Sequence, residues 1–134
     1  MFQIRDIDHI VLRVSDLERM IDFYCKVLNC TVEWRRPDIG LVHLRAGNSL
    51  IDLVPVDGEL GRRGGRAAGK DGRNLDHVCL RIHPFDVDRI VEHLSSHGVQ
   101  VGEIRERFGA QGEGTSIYLS DPEDNGVELR AAKI

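Results

Sequence analysis

The chain is short of several things, and each shortage removes a class of protein. Its longest apolar runs are only a few residues, far below the roughly 18 that a membrane-spanning helix needs, so no membrane partner is expected. No helix or strand pattern carries a basic run, and the formal net charge is −4. A nucleic-acid partner is therefore not expected either. Met1-Phe2-Gln3-Ile4-Arg5-Asp6 lacks the apolar core of a signal peptide. Cysteines 25, 30 and 79 are odd in number and show no CxxC spacing, which fits free, packing thiols in a reducing cytoplasm. What remains is 134 residues, 41% hydrophobic and 30% charged, enough for one globular domain with a real core.

The informative feature is a repeat. Asp8-His9-Ile10-Val11-Leu12-Arg13-Val14 returns 68 residues later as Asp76-His77-Val78-Cys79-Leu80-Arg81-Ile82, with four of seven positions identical. Each copy alternates apolar and polar residues, the period of a half-buried strand, and each leads into a helical pattern. In the first copy, Ser15 and Glu18 have capping-box spacing, and Leu17, Met20, Ile21, Tyr24, Val27 and Leu28 follow at helical spacing, ending near Asn29. Strands are expected at about 31–36, 41–46 and 49–54. In the second copy a strand at 75–82 precedes a helix at about 85–97, with Pro84 in its first turn, Gly98 as its stop, and Val87, Ile90, Val91 and Leu94 as its buried stripe. Strands follow near 99–105, 115–120 and 126–131, with a flexible hairpin tip at 108–114 and a turn at 121–126. The expected architecture is α+β: two tandem βαβββ modules, 4–56 and 75–132, forming a curved mixed sheet around a metal-binding cleft. Between them lies 57–74, with six glycines and five basic residues, read as a mobile linker.

Alternation decides which side chains share a face. His9, Arg13, His43, Arg45, Asp52, His77, Arg81, Ser116, Tyr118, Glu128 and Arg130 all fall opposite the aliphatic face. Each module contributes an imidazole from its first strand and a carboxylate from its last: His9 with Asp52, His77 with Glu128. Two nitrogens and two oxygens suit one divalent ion such as Ni, Zn, Co, Mn or Fe. Such an ion polarises a substrate oxygen and stabilises an enediolate, and Asp52 or Glu128 is the candidate general base. Arg13, Arg81 and Arg130 are candidate clamps for a substrate anion. Tyr118 and His43 are candidate pocket residues. His93 and His97, four apart on the second helix, are assigned a structural role beside the buried stripe.

The duplicated Asp-His strand starts, the Asp22-Phe23-Tyr24 segment running to Val27-Leu28, and Asp121-Pro122 leading to Asn125 and Glu128-Leu129 resemble the vicinal oxygen chelate superfamily. The likeness is greatest to glyoxalase I of the short bacterial type. The resemblance implies a metal-dependent lyase or isomerase that acts on the hemithioacetal of a 2-oxoaldehyde and a thiol such as glutathione. It also implies ligands at His9, His77 and Glu128, a fourth at Asp52 (one methylene shorter than the family's glutamate), and a homodimer whose two chains share ligands. Other members imply an Fe(II) ring-cleaving dioxygenase, a thiol transferase acting on an epoxide antibiotic, or a metal-free small-molecule-binding resistance protein.

Overall fold

The computed structural model describes residues 1–134. The chain forms two compact units, Met1–Asn74 and Leu75–Ile134. The first unit runs β1 (His9–Val14), α1 (Leu17–Asp22), β2 (Thr31–Arg36), β3 (Leu41–Ala46), β4 (Ser49–Pro55). The second runs β5 (His77–Ile82), α2 (Val87–Ser96), β6 (Ile104–Gly109), β7 (Gly112–Ser120), β8 (Gly126–Ala131). Each unit holds one four-stranded mixed sheet, ordered β1-β4-β3-β2 or β5-β8-β7-β6. The first and last strands of each unit pair parallel, and the other neighbours pair antiparallel. The sequence repeat is thus a repeat of topology.

In the first unit, Leu12 and Val14 of β1, Leu44 of β3 and Ile51 and Leu53 of β4 are buried with Met20, Ile21 and Tyr24. Each such side chain contributes about 1.5–3 kcal/mol. The cap of α1 is Asp16, not Ser15. The Asp16 backbone is extended, and its carboxylate accepts from Arg19 N at 3.2 Å, satisfying one of the orphan donors of the first turn. The expected single helix to 28 divides in two. After Asp22 the chain widens into a π turn over Phe23–Val27, and consecutive Phe23 and Tyr24 are both buried, edge to face with centroids 5.1 Å apart. Asn29 stops it in the left-handed region, at φ 62°.

In the second unit the core is Leu94 of α2 with Ile117, Leu119, Val127 and Leu129. The rest of the expected stripe, Val87, Ile90 and Val91, is only half-buried. Pro84 precedes the helix rather than starting it, because Asp86 is the cap and its carboxylate accepts from Arg89 N at 3.1 Å. β6 begins five residues later than the pattern predicts. Gly98, at φ 72°, ends the helix, and residues 99–103 are an irregular approach held by Gly102 N to Tyr118 O at 2.7 Å and Tyr118 N to Glu103 O at 2.9 Å. The hairpin tip is tighter than expected. Gln111 Nε2 donates to Lys133 O at 3.1 Å and its Oε1 accepts from Lys133 N at 2.9 Å.

The segment 57–74 is not a bare linker. Arg13 Nε donates to Gly61 O at 2.9 Å, and its two terminal nitrogens donate to Arg66 O at 3.1 Å and Gly65 O at 2.5 Å. Asn74 Nδ2 donates back to Arg13 O at 2.7 Å. Glycine is needed where the guanidinium passes: a Cβ on Gly64 would lie 2.4 Å from Arg13 Nε. Charge-assisted bonds to three carbonyls hold the loop more firmly than neutral ones. Arg13→Ala is expected to open it, raising the rate of tryptic cleavage at Arg62, Arg63 or Arg66 in the native protein by about tenfold or more, as for a loss of ~1.5 kcal/mol or more of local closing free energy. An unchanged digestion rate contradicts the clasp.

Candidate metal-binding faces

The register of the parallel pairs places the site residues. His9 lies opposite Leu50, and Val11 opposite Asp52. His77 lies opposite Gly126, and Cys79 opposite Glu128. Each histidine therefore stands two residues before the position that faces the carboxylate. On the far side of the carboxylate, His43 pairs with Asp52 and Tyr118 with Glu128. The repeat carries the same three-strand row twice: imidazole strand, carboxylate, and a polar ring.

In the second unit the row closes. His77 Nε2 lies 3.3 Å from Glu128 Oε2. Its Nδ1 is held 2.6 Å from Asp76 Oδ1, so Asp76 fixes the ring orientation and directs Nε2 to the carboxylate, the arrangement seen around metal-bound histidines. Tyr118 Oη donates to Glu128 Oε1 at 2.9 Å. Glu128 is buried. Burial pushes its carboxyl up, but hydrogen bonds from Ser116, Tyr118 and Cys79 and the charge of His77 outweigh this and hold it below its ordinary value. Ser116 is fully buried, and Glu128 is the polar group that its hydroxyl approaches. Cys79 keeps part of its surface open, yet partial desolvation and then the Glu128 carboxylate push its thiol up to about 12. It is a neutral thiol, not a reactive thiolate.

The position of Glu128 is fixed by the preceding turn. Asp121 and Asn125 are buried. Asp121 Oδ1 accepts from Glu123 N at 2.9 Å and Asn125 N at 3.0 Å, and its Oδ2 accepts from Asn125 Nδ2 at 2.8 Å. This Asx-type turn sets the start of β8 and hence the face on which Glu128 emerges.

In the first unit the row stays open. His9 Nδ1 bonds Asp8 Oδ1 at 2.7 Å, and that bond holds its imidazolium above the ordinary value. Its ion pair is with Asp8 alone; Asp52 acts on it only as a more distant charge. Asp52 is buried and bonds His43 Nδ1 through Oδ1 at 2.8 Å. The His43 ring stacks on Trp34, with centroids 5.9 Å apart and planes at 23°. Arg36 covers Trp34 at 4.4 Å. Neither unit by itself gathers three His, Cys, Asp or Glu side chains into a metal cluster.

Two of the expected substrate clamps are corrected. Arg13 spends its donors on the 57–74 loop. Arg130 is buried and donates to Arg107 O at 3.2 Å and Gly112 O at 2.8 Å, in a space that a Cβ on Gly109 or Gly114 would invade. Both guanidiniums donate to backbone carbonyls, Arg13 through all three of its nitrogens and Arg130 through Nη2. Arg81, the repeat partner of Arg13, is exposed. Tyr118 and His43 do face the carboxylates, as positioning groups rather than open pocket residues. Asp8 and Asp76 are the site residues that pattern reading passes over. Their signal is visible in hindsight, because the aspartate is duplicated along with the histidine.

The sequence matches the Glyoxalase/Bleomycin resistance protein/Dioxygenase superfamily over residues 6–129, and the chain belongs to that family. It is 31% identical over 128 residues to the glyoxalase domain-containing protein RDO1 of Mycosarcoma maydis, covering 94% of this chain and 68% of that one. It is 30% identical over 125 residues to the virulence protein STM3117 of Salmonella typhimurium, covering 92% and 81%. The crystal structure of STM3117 superposes with a TM-score of 0.79 at 28% identity over 98% of this chain and all (100%) of that one. The fosfomycin resistance protein FosX of Listeria monocytogenes is 34% identical over 62 residues, 46% of this chain and 45% of FosX. Its structure with Mn(II) and a sulfate ion shares the fold, with a TM-score of 0.71 at 23% identity over 98% and 94% of the two chains. No helix of the chain is long and apolar enough to cross a membrane.

Proposed function

We propose that the chain is a divalent-metal-dependent lyase of the glyoxalase I type, converting the hemithioacetal of a 2-oxoaldehyde and a thiol, such as glutathione, into the thioester of a 2-hydroxy acid. The observation that carries this reading is the His77–Glu128 pair: nitrogen and oxygen 3.3 Å apart, the imidazole oriented by Asp76 and the carboxylate by Tyr118. The matching His9 register supports the same assignment. His9, His77 and Glu128 are the proposed metal ligands. When bound, the ion polarises the substrate oxygens.

The two carboxylates divide the work. Glu128, with hydrogen bonds on one side and His77 on the other, is the ligand. Asp52 is one methylene shorter and tied to His43 rather than His9; it is the base. Asp52 takes the proton from the carbon bearing sulfur and returns it to the neighbouring carbonyl carbon, while the hydroxyl proton passes to the new alcohol oxygen. The substrate is isomerised with no atom lost. His43 keeps the Asp52 carboxylate oriented for both transfers.

The test is metal-stripped protein reloaded separately with Ni, Zn, Co, Mn and Fe, desalted, analysed for metal and assayed with methylglyoxal and glutathione. About one retained ion per chain, with thioester formation that depends on it, is expected. Retention below roughly one tenth of an ion with every metal overturns the reading in favour of a metal-free binding protein. Retention without thioester formation, but with oxygen uptake on a catechol, moves the chain to the dioxygenase branch.

A further inference from the structure

We propose that α2 carries a second metal site, a two-histidine chelate made by His93 and His97, for borderline divalent ions such as Cu(II), Ni(II) or Zn(II). Sequence pattern alone puts these histidines beside the buried stripe. In the structure both are exposed, while Leu94 between them is buried. They are one turn apart, so their side chains rise on the same face of the helix. The ring centroids are 4.6 Å apart and the planes tilted by 54°, close enough for one ion to reach a nitrogen on each ring at about 2.0–2.1 Å with small side-chain rotations.

The tautomer of His97 also points to a ligand. Its Nδ1 faces His93 O at 3.0 Å, with Ser96 Oγ at 3.3 Å. An N–H on Nδ1 donates to the carbonyl and leaves the Nε2 lone pair outward, which is how backbone carbonyls prepare histidines for metals. His97 is the C-cap residue, at the negative end of the helix dipole, where a cation is favoured. Imidazole donors select borderline ions over Mg, Ca or Mn. Helix α1, Leu17–Asp22, holds no histidine, so the pair is not part of the duplicated face and does not depend on the lyase reading.

The experiment is calorimetric titration of the full, metal-stripped chain with NiCl₂, paired with histidine ring NMR. Wild type is expected to show a weaker class of site whose filling broadens the His93 and His97 ring signals together. His93→Gln and His97→Asn, each leaving a single imidazole, are expected to weaken that class by at least about tenfold, since the second donor no longer acts at high effective concentration. Both variants are expected to retain the wild-type Ni content of any tight site. An unchanged weak class in both variants, or broadening of only one ring, overturns the proposal. A wild-type titration that shows no tight class, with the weak class still lost in both variants, argues against the lyase reading and leaves this site standing.

Discussion

Glu128→Gln is expected to remove thioester formation by at least about 100-fold, and to lower metal affinity in parallel. The benchmark is that changes to groups merely supporting a metal ligand already cost about 10–100-fold. The substitution is nearly isosteric. It keeps an oxygen that can accept from Tyr118 but loses the charge that faces His77. The fold is expected to survive it, because the amide has nearly the same shape and the stability lost with the carboxylate's hydrogen bonds and ion pair is confined to one side chain. Thermal denaturation of the metal-free variant within a few degrees of wild type, together with the loss of retained metal and of kcat/KM, is the predicted combination. Tyr118→Phe and Asp76→Asn are expected to fall between, at about tenfold each, since they leave the ligand atoms in place and loosen only their orientation. Full activity in Glu128→Gln removes the metal from the mechanism and the lyase assignment with it.

What was legible in the sequence follows from which interactions are local. The strand at His9–Val14 and its repeat at His77–Ile82 rest on period-two alternation that each segment carries in itself. The left-handed stop at Asn29 and the Asp121–Asn125 turn are likewise written in a few adjacent residues. The missed features depend on distant partners. Nothing near Arg13 in sequence shows that its donors are taken by Gly61, Gly65 and Arg66, and nothing near Arg130 announces the carbonyls of Arg107 and Gly112. Alternation correctly put both arginines on the polar face but could not say which group, substrate or backbone, they meet there. The flexible reading of 108–114 failed for the same reason: its glycines permit motion, but Gln111 is pinned by a residue 22 positions away.

The difference between the two rows leads to the second large effect. On β8, Gly126 and Glu128 share a face, and Gly126 lies directly opposite His77. The imidazole leans across the empty position to reach the carboxylate. On β4 the equivalent residue is Leu50, opposite His9 and on the same strand face as Asp52. One glycine, together with the longer reach of Glu128, is why the second pair touches and the first does not. A Cβ at position 126 would lie 2.5 Å from Asp76 O and 2.9 Å from His77 Cβ. The first of these is a backbone atom that cannot swing aside, so strands β5 and β8 must separate at the Asp-His pair. Gly126→Ala is expected to destabilise the chain by about 2–4 kcal/mol, with a fall of roughly 10 °C in the thermal midpoint. At temperatures where the variant is still folded, it is expected to weaken metal retention through the displaced His77. Gly69→Ala, where an added Cβ meets nothing within 4 Å, is the matched control, expected to stay within about 0.5 kcal/mol of wild type. If Gly126→Ala matches that control in urea denaturation, β5 and β8 have slack at this point, and the reach of His77 to Glu128 does not depend on the missing side chain.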